Sequence, residues 1–80
     1  MSIFSERLKE ARKASGVTQK QTAEFLGMAD NAYQMYEHGK RAPNHEITVK
    51  LADYFDVSLD YMFGRDSYLK ISKPNKKTAK

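Results

Sequence analysis

The most constraining feature of this chain is that its short apolar segments end at glycines, at positions 16, 27, 39 and 64. In the first segment Phe4, Leu8 and Ala11 recur every three to four residues, which is typical of one face of a helix. Gly16 is placed to end that helix. The period-two alternation of half-buried strands is absent, so we expect short helices throughout.

Capping residues stand where these helices are expected to begin. Ser5 is placed to cap the first helix, and residues 18–21, Thr-Gln-Lys-Gln, have the form of a capping box. A third helix is expected from about Ala29 to His38. Pro43-Asn44 opens a fourth, and Ser58 caps a short fifth. The sequence therefore predicts an all-α fold of five helices.

Length and charge narrow the class of protein. Eighty residues make at most one domain, which is too small for a deep active-site cleft. Residues 65–80 hold six basic residues against one acidic residue, a net charge of +5, whereas residues 1–64 hold eight against nine, a net charge of −1. We predict a domain over residues 1–64, followed by a basic flexible tail or linker over residues 65–80.

Other classes of site and location find little support. The chain has no cysteine, which excludes disulfides and thiolate metal sites, and His38 and His45 lack a partner at metal-ligand spacing. No nucleophile motif and no glycine-rich phosphate loop is present. No apolar run fits a signal peptide or a membrane span. We expect a cytoplasmic protein that is not an enzyme and uses no metal or cofactor.

The second and third expected helices form a helix-turn-helix pattern around Gly27. Gly27 is free to take the positive φ of a tight turn, and the small Ala23 allows the helices to approach closely. Met28, Tyr33 and Tyr36 can close the wedge between them. If Tyr33 is buried, its hydroxyl needs a hydrogen-bond partner.

From Arg7 to Gly64 the sequence resembles the phage repressor/Cro-like (XRE) helix-turn-helix family. The resemblance is carried by RLKEARKASGVTQKQTAEFLG, YEHGKRAP and ITVKLADYFDVSLDYMFG, in the family's order and spacing. It implies a compact five-helix bundle of the lambda-repressor-like type that binds double-stranded DNA, usually as a homodimer on a two-fold symmetric operator. The expected function is a transcriptional regulator at the nucleoid, a repressor that occludes its operator, with recruitment of polymerase as the alternative mechanism.

The resemblance also implies roles for single residues. The positions that match DNA-backbone contacts are Thr18, Gln19, Lys40 and Arg41. Gln19 would in addition brace the reading helix, and Lys40 and Arg41 would grip phosphates. Arg12 and Glu37 match a semi-buried ion pair that ties the first helix to the third.

The third helix would face the major groove. The positions on that side are Ala29, Asp30, Asn31, Gln34 and Met35, with His38 as a further candidate. The amides of Asn31 and Gln34 suit the N6 and N7 atoms of adenine, and Met35 can pack on a thymine methyl group.

Asp30 has two interpretations. The family usually has Ser or Thr as the cap where this chain has Ala29, so the helix could start one residue later with Asp30 as its N-cap. Alternatively, Asp30 accepts a hydrogen bond from a cytosine amino group. Capping is the expectation, because phosphates repel an unpaired acid.

A protein-interaction role, such as the antitoxin of a toxin–antitoxin pair, is the alternative function. Its basis is the near-neutral net charge of residues 1–64 and a third helix that contains no Lys or Arg.

Overall fold

The computed structural model describes residues 2–65, which form five α-helices and no strand. They are α1 (Ile3–Ser15), α2 (Gln19–Leu26), α3 (Asp30–Glu37), α4 (His45–Phe55) and α5 (Leu59–Met62). The all-α, five-helix prediction is confirmed. Apart from Arg65, the predicted basic tail lies outside the described residues. Within residues 2–65 no helix is long and apolar enough to span a membrane.

Side chains cap four of these helices. At the start of α2, the Thr18 hydroxyl accepts a hydrogen bond from the Gln21 amide at 3.0 Å, and the Gln21 side-chain oxygen accepts one from the Thr18 amide at 2.8 Å. The predicted capping box is therefore confirmed. Asn44 and Ser58 cap α4 and α5 by accepting from a backbone amide three residues ahead.

The first helix begins earlier than predicted. Ser2, and not Ser5, is its N-cap: the Ser2 hydroxyl accepts from the Ser5 amide at 3.1 Å, and the Ser5 hydroxyl accepts from the Ser2 amide at 3.2 Å. The prediction that Ser5 caps α1 is wrong. Phe4 packs against the core, with its ring centroid 5.3 Å from that of Phe63, so residues 3 and 4 gain contacts as helix.

The prediction that Asp30 caps α3 is also wrong. Ala29 is the N-cap, with extended dihedral angles of −71° and 153°, and its carbonyl accepts from the amides of Ala32 and Tyr33 at 3.1 and 3.2 Å. Asp30 is the first helical residue, and α3 has no side-chain cap. The Asp30 carboxylate still lies in the first turn, where negative charge is favourable.

The core lies between α1 and the other helices. Its buried apolar members are Leu8, Ala11, Ala23, Tyr33, Tyr36, Leu51, Phe55 and Met62. α1 contacts α3, α4 and α5, while α2 packs on α3. Ala23 on α2 is fully buried, so no large side chain separates α2 from α3. This packing buries one face of α3 and leaves the opposite face open to solvent.

Candidate nucleic-acid interface

The turn between α2 and α3 depends on Gly27. Gly27 has a φ of 73°, and its amide donates to the Glu24 carbonyl at 3.1 Å, while the Met28 amide donates to the Ala23 carbonyl at 3.0 Å. A Cβ atom at Gly27 would meet nothing within 4 Å. The left-handed backbone, and not a lack of space, therefore favours glycine here.

The two faces of α3 have different surroundings. Of the positions predicted to face the groove, Ala29, Asp30, Asn31 and His38 are exposed, and Gln34 and Met35 are half-buried. Tyr33, Tyr36 and Glu37, on the other face, are buried. The side-chain amides of Asn31 and Gln34 make no hydrogen bond with any residue among 2–65. They are available to an external partner.

Four donors converge on the carboxylate of Glu37, a side chain with no solvent exposure. Arg12 donates from Nε to Oε2 at 2.6 Å and from its second guanidinium nitrogen to Oε1 at 3.3 Å. Gln19 Nε2 donates to Oε1 at 3.0 Å, and the Tyr33 hydroxyl donates to Oε2 at 2.6 Å. The predicted partners Arg12 and Glu37 are thus in direct contact, within a larger network.

The protonation of this network follows from its geometry. Burial alone would raise the pKa of Glu37, but the hydrogen bonds from Arg12, Tyr33 and Gln19 outweigh it and lower the pKa below its usual range. Burial and the hydrogen bond to the Glu37 carboxylate raise the pKa of Tyr33 well above its usual range. Glu37 is therefore ionised and Tyr33 neutral at physiological pH.

The network fixes the orientation of α3. Arg12 comes from α1 and also donates to the Val17 carbonyl at 3.0 Å, Gln19 begins α2, and Tyr33 and Glu37 belong to α3. Any rotation of α3 about its axis would separate the buried Glu37 carboxylate from its donors on Arg12 and Gln19, which is costly. No pattern in the sequence indicated that Gln19 and Tyr33 share one acceptor. Only the unsatisfied hydroxyl of a buried Tyr33 pointed towards a partner.

Lys40 and Arg41, the cations predicted to contact phosphates, lie in the loop that follows α3. The amides of Lys40 and Arg41 both donate to the Met35 carbonyl, at 2.9 and 3.3 Å, which fixes the backbone of this loop. Both side chains are exposed and form no ion pair with another residue among 2–65. The Gln19–Glu37 hydrogen bond brings the start of α2 beside the end of α3, so the Thr18–Gln19 corner and these cations lie at the same end of α3.

The side chain of Gln19 is already engaged by Glu37, which supports its bracing role. Contact with an external anion would come from the amides of Gln19 and Lys20 in the first turn of α2, since those of Thr18 and Gln21 are engaged in the capping box. Thr18 uses its hydroxyl as the cap and so holds this turn in place.

Comparison with known proteins agrees with this geometry. The helix-turn-helix family profile matches residues 8–62. ImmR of Bacillus subtilis, an HTH-type transcriptional regulator, is 41% identical over 72 residues that cover 90% of this chain and 54% of ImmR. RstR of Vibrio cholerae, a cryptic phage CTXphi transcriptional repressor, is 42% identical over 62 residues that cover 78% of this chain and 55% of RstR.

A third relative, the HTH-type transcriptional regulator AnsR of Bacillus subtilis, is 41% identical over 61 residues, which cover 76% of this chain and 53% of AnsR. The chain thus spans about half the length of the curated relatives it matches. The helix-turn-helix family match supports the prediction that the chain is not an enzyme, and all three relatives are named as transcriptional regulators or repressors. The profile match and the α2–turn–α3 geometry together establish that the chain belongs to the XRE-type helix-turn-helix family.

Proposed function

We propose that this chain is a DNA-binding transcriptional regulator, which acts as a dimeric repressor on a two-fold symmetric operator. The observation that carries the proposal is the exposed face of α3, where the side-chain amides of Asn31 and Gln34 make no hydrogen bond with residues 2–65. The opposite face of α3 is buried and held by the Glu37 network. A helix presented in this way can enter the major groove. The regulator would act at the nucleoid, in the cytoplasm.

Base reading is assigned mainly to neutral side chains, with the Asp30 carboxylate as one charged candidate. Asn31 and Gln34 can each donate to and accept from adenine, with about 1–3 kcal/mol of discrimination for a good bidentate pair. Met35 is placed to contact a thymine methyl group. Since Asp30 does not cap α3, its exposed carboxylate is available to a cytosine amino group. α3 has no Lys or Arg, so the operator is read without arginine–guanine pairs.

Phosphate contacts come from both ends of the helix-turn-helix. Lys40 and Arg41 supply exposed charge after the end of α3, and the Thr18–Gln19 corner supplies the backbone amides of Gln19 and Lys20, held in place by the Thr18 cap. Residues 1–64 carry few cations, so one monomer would bind DNA with modest affinity. A dimer that places two α3 helices in successive major grooves, about 34 Å apart, compensates for this. Occupation of the operator would exclude RNA polymerase.

The proposal is tested by selection of preferred sites from random double-stranded DNA, at two salt concentrations. Asn31→Ala should relax preference at one base of each half-site and leave the salt dependence unchanged. Lys40→Ala should weaken binding to all sequences and reduce the salt slope by about 0.9. Lys50→Ala on α4 removes the same charge from an exposed position outside the interface. This variant should change neither the base preference nor the salt slope.

Selection that yields no preferred sequence at moderate salt would refute a sequence-specific regulator. If the chain then co-purified with a stoichiometric protein partner, the antitoxin alternative would take its place. The near-neutral charge of residues 1–64 is the observation that favours that alternative.

A further inference from the structure

A cavity of about 320 Å³ lies beside the end of α3, between the start of α1, the loop from Gly39 to Pro43, and Phe63 after α5. Its volume is at the lower end of the range for small-molecule sites. Phe4, Tyr36 and Phe63 give it aromatic walls, and Phe63 is itself 54% exposed. A ligand that fits these walls has an apolar body of about one ring.

The charged groups of this cavity are of one sign. Lys40 and Arg41 line it, and no acidic residue among 2–65 does. Neither cation is paired with another residue among 2–65, and their backbone amides are fixed on the Met35 carbonyl. An anionic group on the ligand would therefore meet two cations whose backbone is already positioned.

One further polar group is available to a ligand. The Tyr36 hydroxyl makes no hydrogen bond with a described residue, and no buried side-chain polar atom among residues 2–65 lacks a partner, so this hydroxyl reaches solvent. Tyr36 lines the cavity and can donate to an anion there. The lining hydroxyls of Ser2 and Thr48, in contrast, are engaged in hydrogen bonds at the starts of α1 and α4.

We propose that this cavity binds a small arylalkyl carboxylate, with the ring packed against Phe4 and Phe63 and the carboxylate on Lys40, Arg41 and the Tyr36 hydroxyl. Binding and DNA contact would then require the same two cations. The carboxylate would lower the affinity for DNA, and DNA would lower the affinity for the carboxylate by the same factor. This coupling between the carboxylate and DNA rests on the proposed function, whereas the site itself does not.

The site is tested on the full chain without DNA, by titration with 3-phenylpropionate while backbone amide shifts are recorded by NMR. The neutral 3-phenyl-1-propanol, of nearly the same size, is the matched control ligand. We expect saturable shifts at Gly39, Lys40 and Phe63, with a dissociation constant on the order of 1 mM for a ligand of about eleven heavy atoms. The alcohol should bind about tenfold more weakly.

Variants separate this site from diffuse charge attraction. Lys40→Gln with Arg41→Gln should weaken 3-phenylpropionate about tenfold, because each exposed charge contact contributes up to about fivefold. Lys13→Gln with Lys50→Gln makes the same change in charge at exposed positions outside the cavity and should have no effect. Absent or unsaturable shifts, equal binding of the alcohol, or equal weakening by both double variants would each overturn the proposal.

The coupling to DNA has its own measurement. At about five times its dissociation constant, a mutually exclusive 3-phenylpropionate should raise the apparent dissociation constant for DNA about sixfold. An unchanged DNA affinity with the NMR site intact would refute the competition alone. A chain that binds 3-phenylpropionate at the cavity but shows no DNA preference would refute the proposed function and leave the site standing.

Discussion

Replacing Tyr33 by Phe isolates one hydrogen bond of the Glu37 network. The Tyr33 hydroxyl lies 2.6 Å from Glu37 Oε2, and both side chains have no solvent exposure. A hydrogen bond to a charged group contributes about 1.5–3 kcal/mol. Glu37 would keep its donors from Arg12 and Gln19, so the carboxylate is not left unpaired. We therefore expect Tyr33→Phe to lower the free energy of unfolding by about 2 kcal/mol.

This loss is large for a domain of this size. It corresponds to a fall in Tm of about 8–16 °C, from about 4–8 °C per kcal/mol for domains of 60–100 residues. Urea unfolding followed by circular dichroism at neutral pH measures it, with an unchanged m value. Tyr36→Phe is the matched control in the same helix. Its hydroxyl has no partner among residues 2–65, so it should change stability by less than about 0.5 kcal/mol.

The effect should also depend on pH. The Tyr33 hydrogen bond helps to lower the pKa of folded Glu37, so its contribution is fully present above the unfolded pKa, about 4.3. It is lost as the pH falls through the lower, folded pKa. The stability difference between wild type and Tyr33→Phe should therefore be constant near neutrality and shrink in acid. A difference below about 0.5 kcal/mol at neutral pH, or one that does not shrink in acid, would refute the account of the network.

Three further outcomes are expected. Ala29→Ser supplies the cap that α3 lacks and should stabilise the chain by about 1 kcal/mol in urea unfolding, whereas Ala14→Ser on the exposed side of α1 should slightly destabilise it. Asp56 ends α4 with a φ of 57°, so Asp56→Gly should relieve left-handed strain and an unfavourable charge at the helix end, with a net gain of about 0.5 kcal/mol in the same assay. Lys40→Gln with Arg41→Gln should reduce the salt slope of DNA binding by about 1.8, and an unchanged slope would remove both residues from the phosphate contacts.

Local signals in the sequence predicted most of the fold. The Thr18 capping box marked the start of α2 and Gly27 marked its end, because both act through bonds within a few residues. The errors at Ser5 and Asp30 arose where two adjacent or nearby residues could each cap. At α1, Phe4 packs against the core and Ser2 forms the capping box, and at α3, Ala29 takes the N-cap position without a side-chain cap.

The site was predictable only in part. The resemblance supplied the Arg12–Glu37 pair, but convergence of Gln19 and Tyr33 on Glu37 depends on how three segments pack and not on any local pattern. The cavity beside Lys40 was not predictable for the same reason. Its walls come from opposite ends of the described chain, and no spacing in the sequence records their proximity.

The free amides on the solvent face of α3 have a consequence for how binding preference can change. Asn31 and Gln34 support nothing else among residues 2–65, whereas Glu37 holds the helix from its other face. Substitutions at exposed Asn31 should each alter stability by less than about 0.5 kcal/mol, with somewhat larger effects at half-buried Gln34. If Asn31 and Gln34 read bases as proposed, new sequence preferences can be selected from a small library at these two positions, with the scaffold kept constant. Specificity would then be free to diverge faster than the fold.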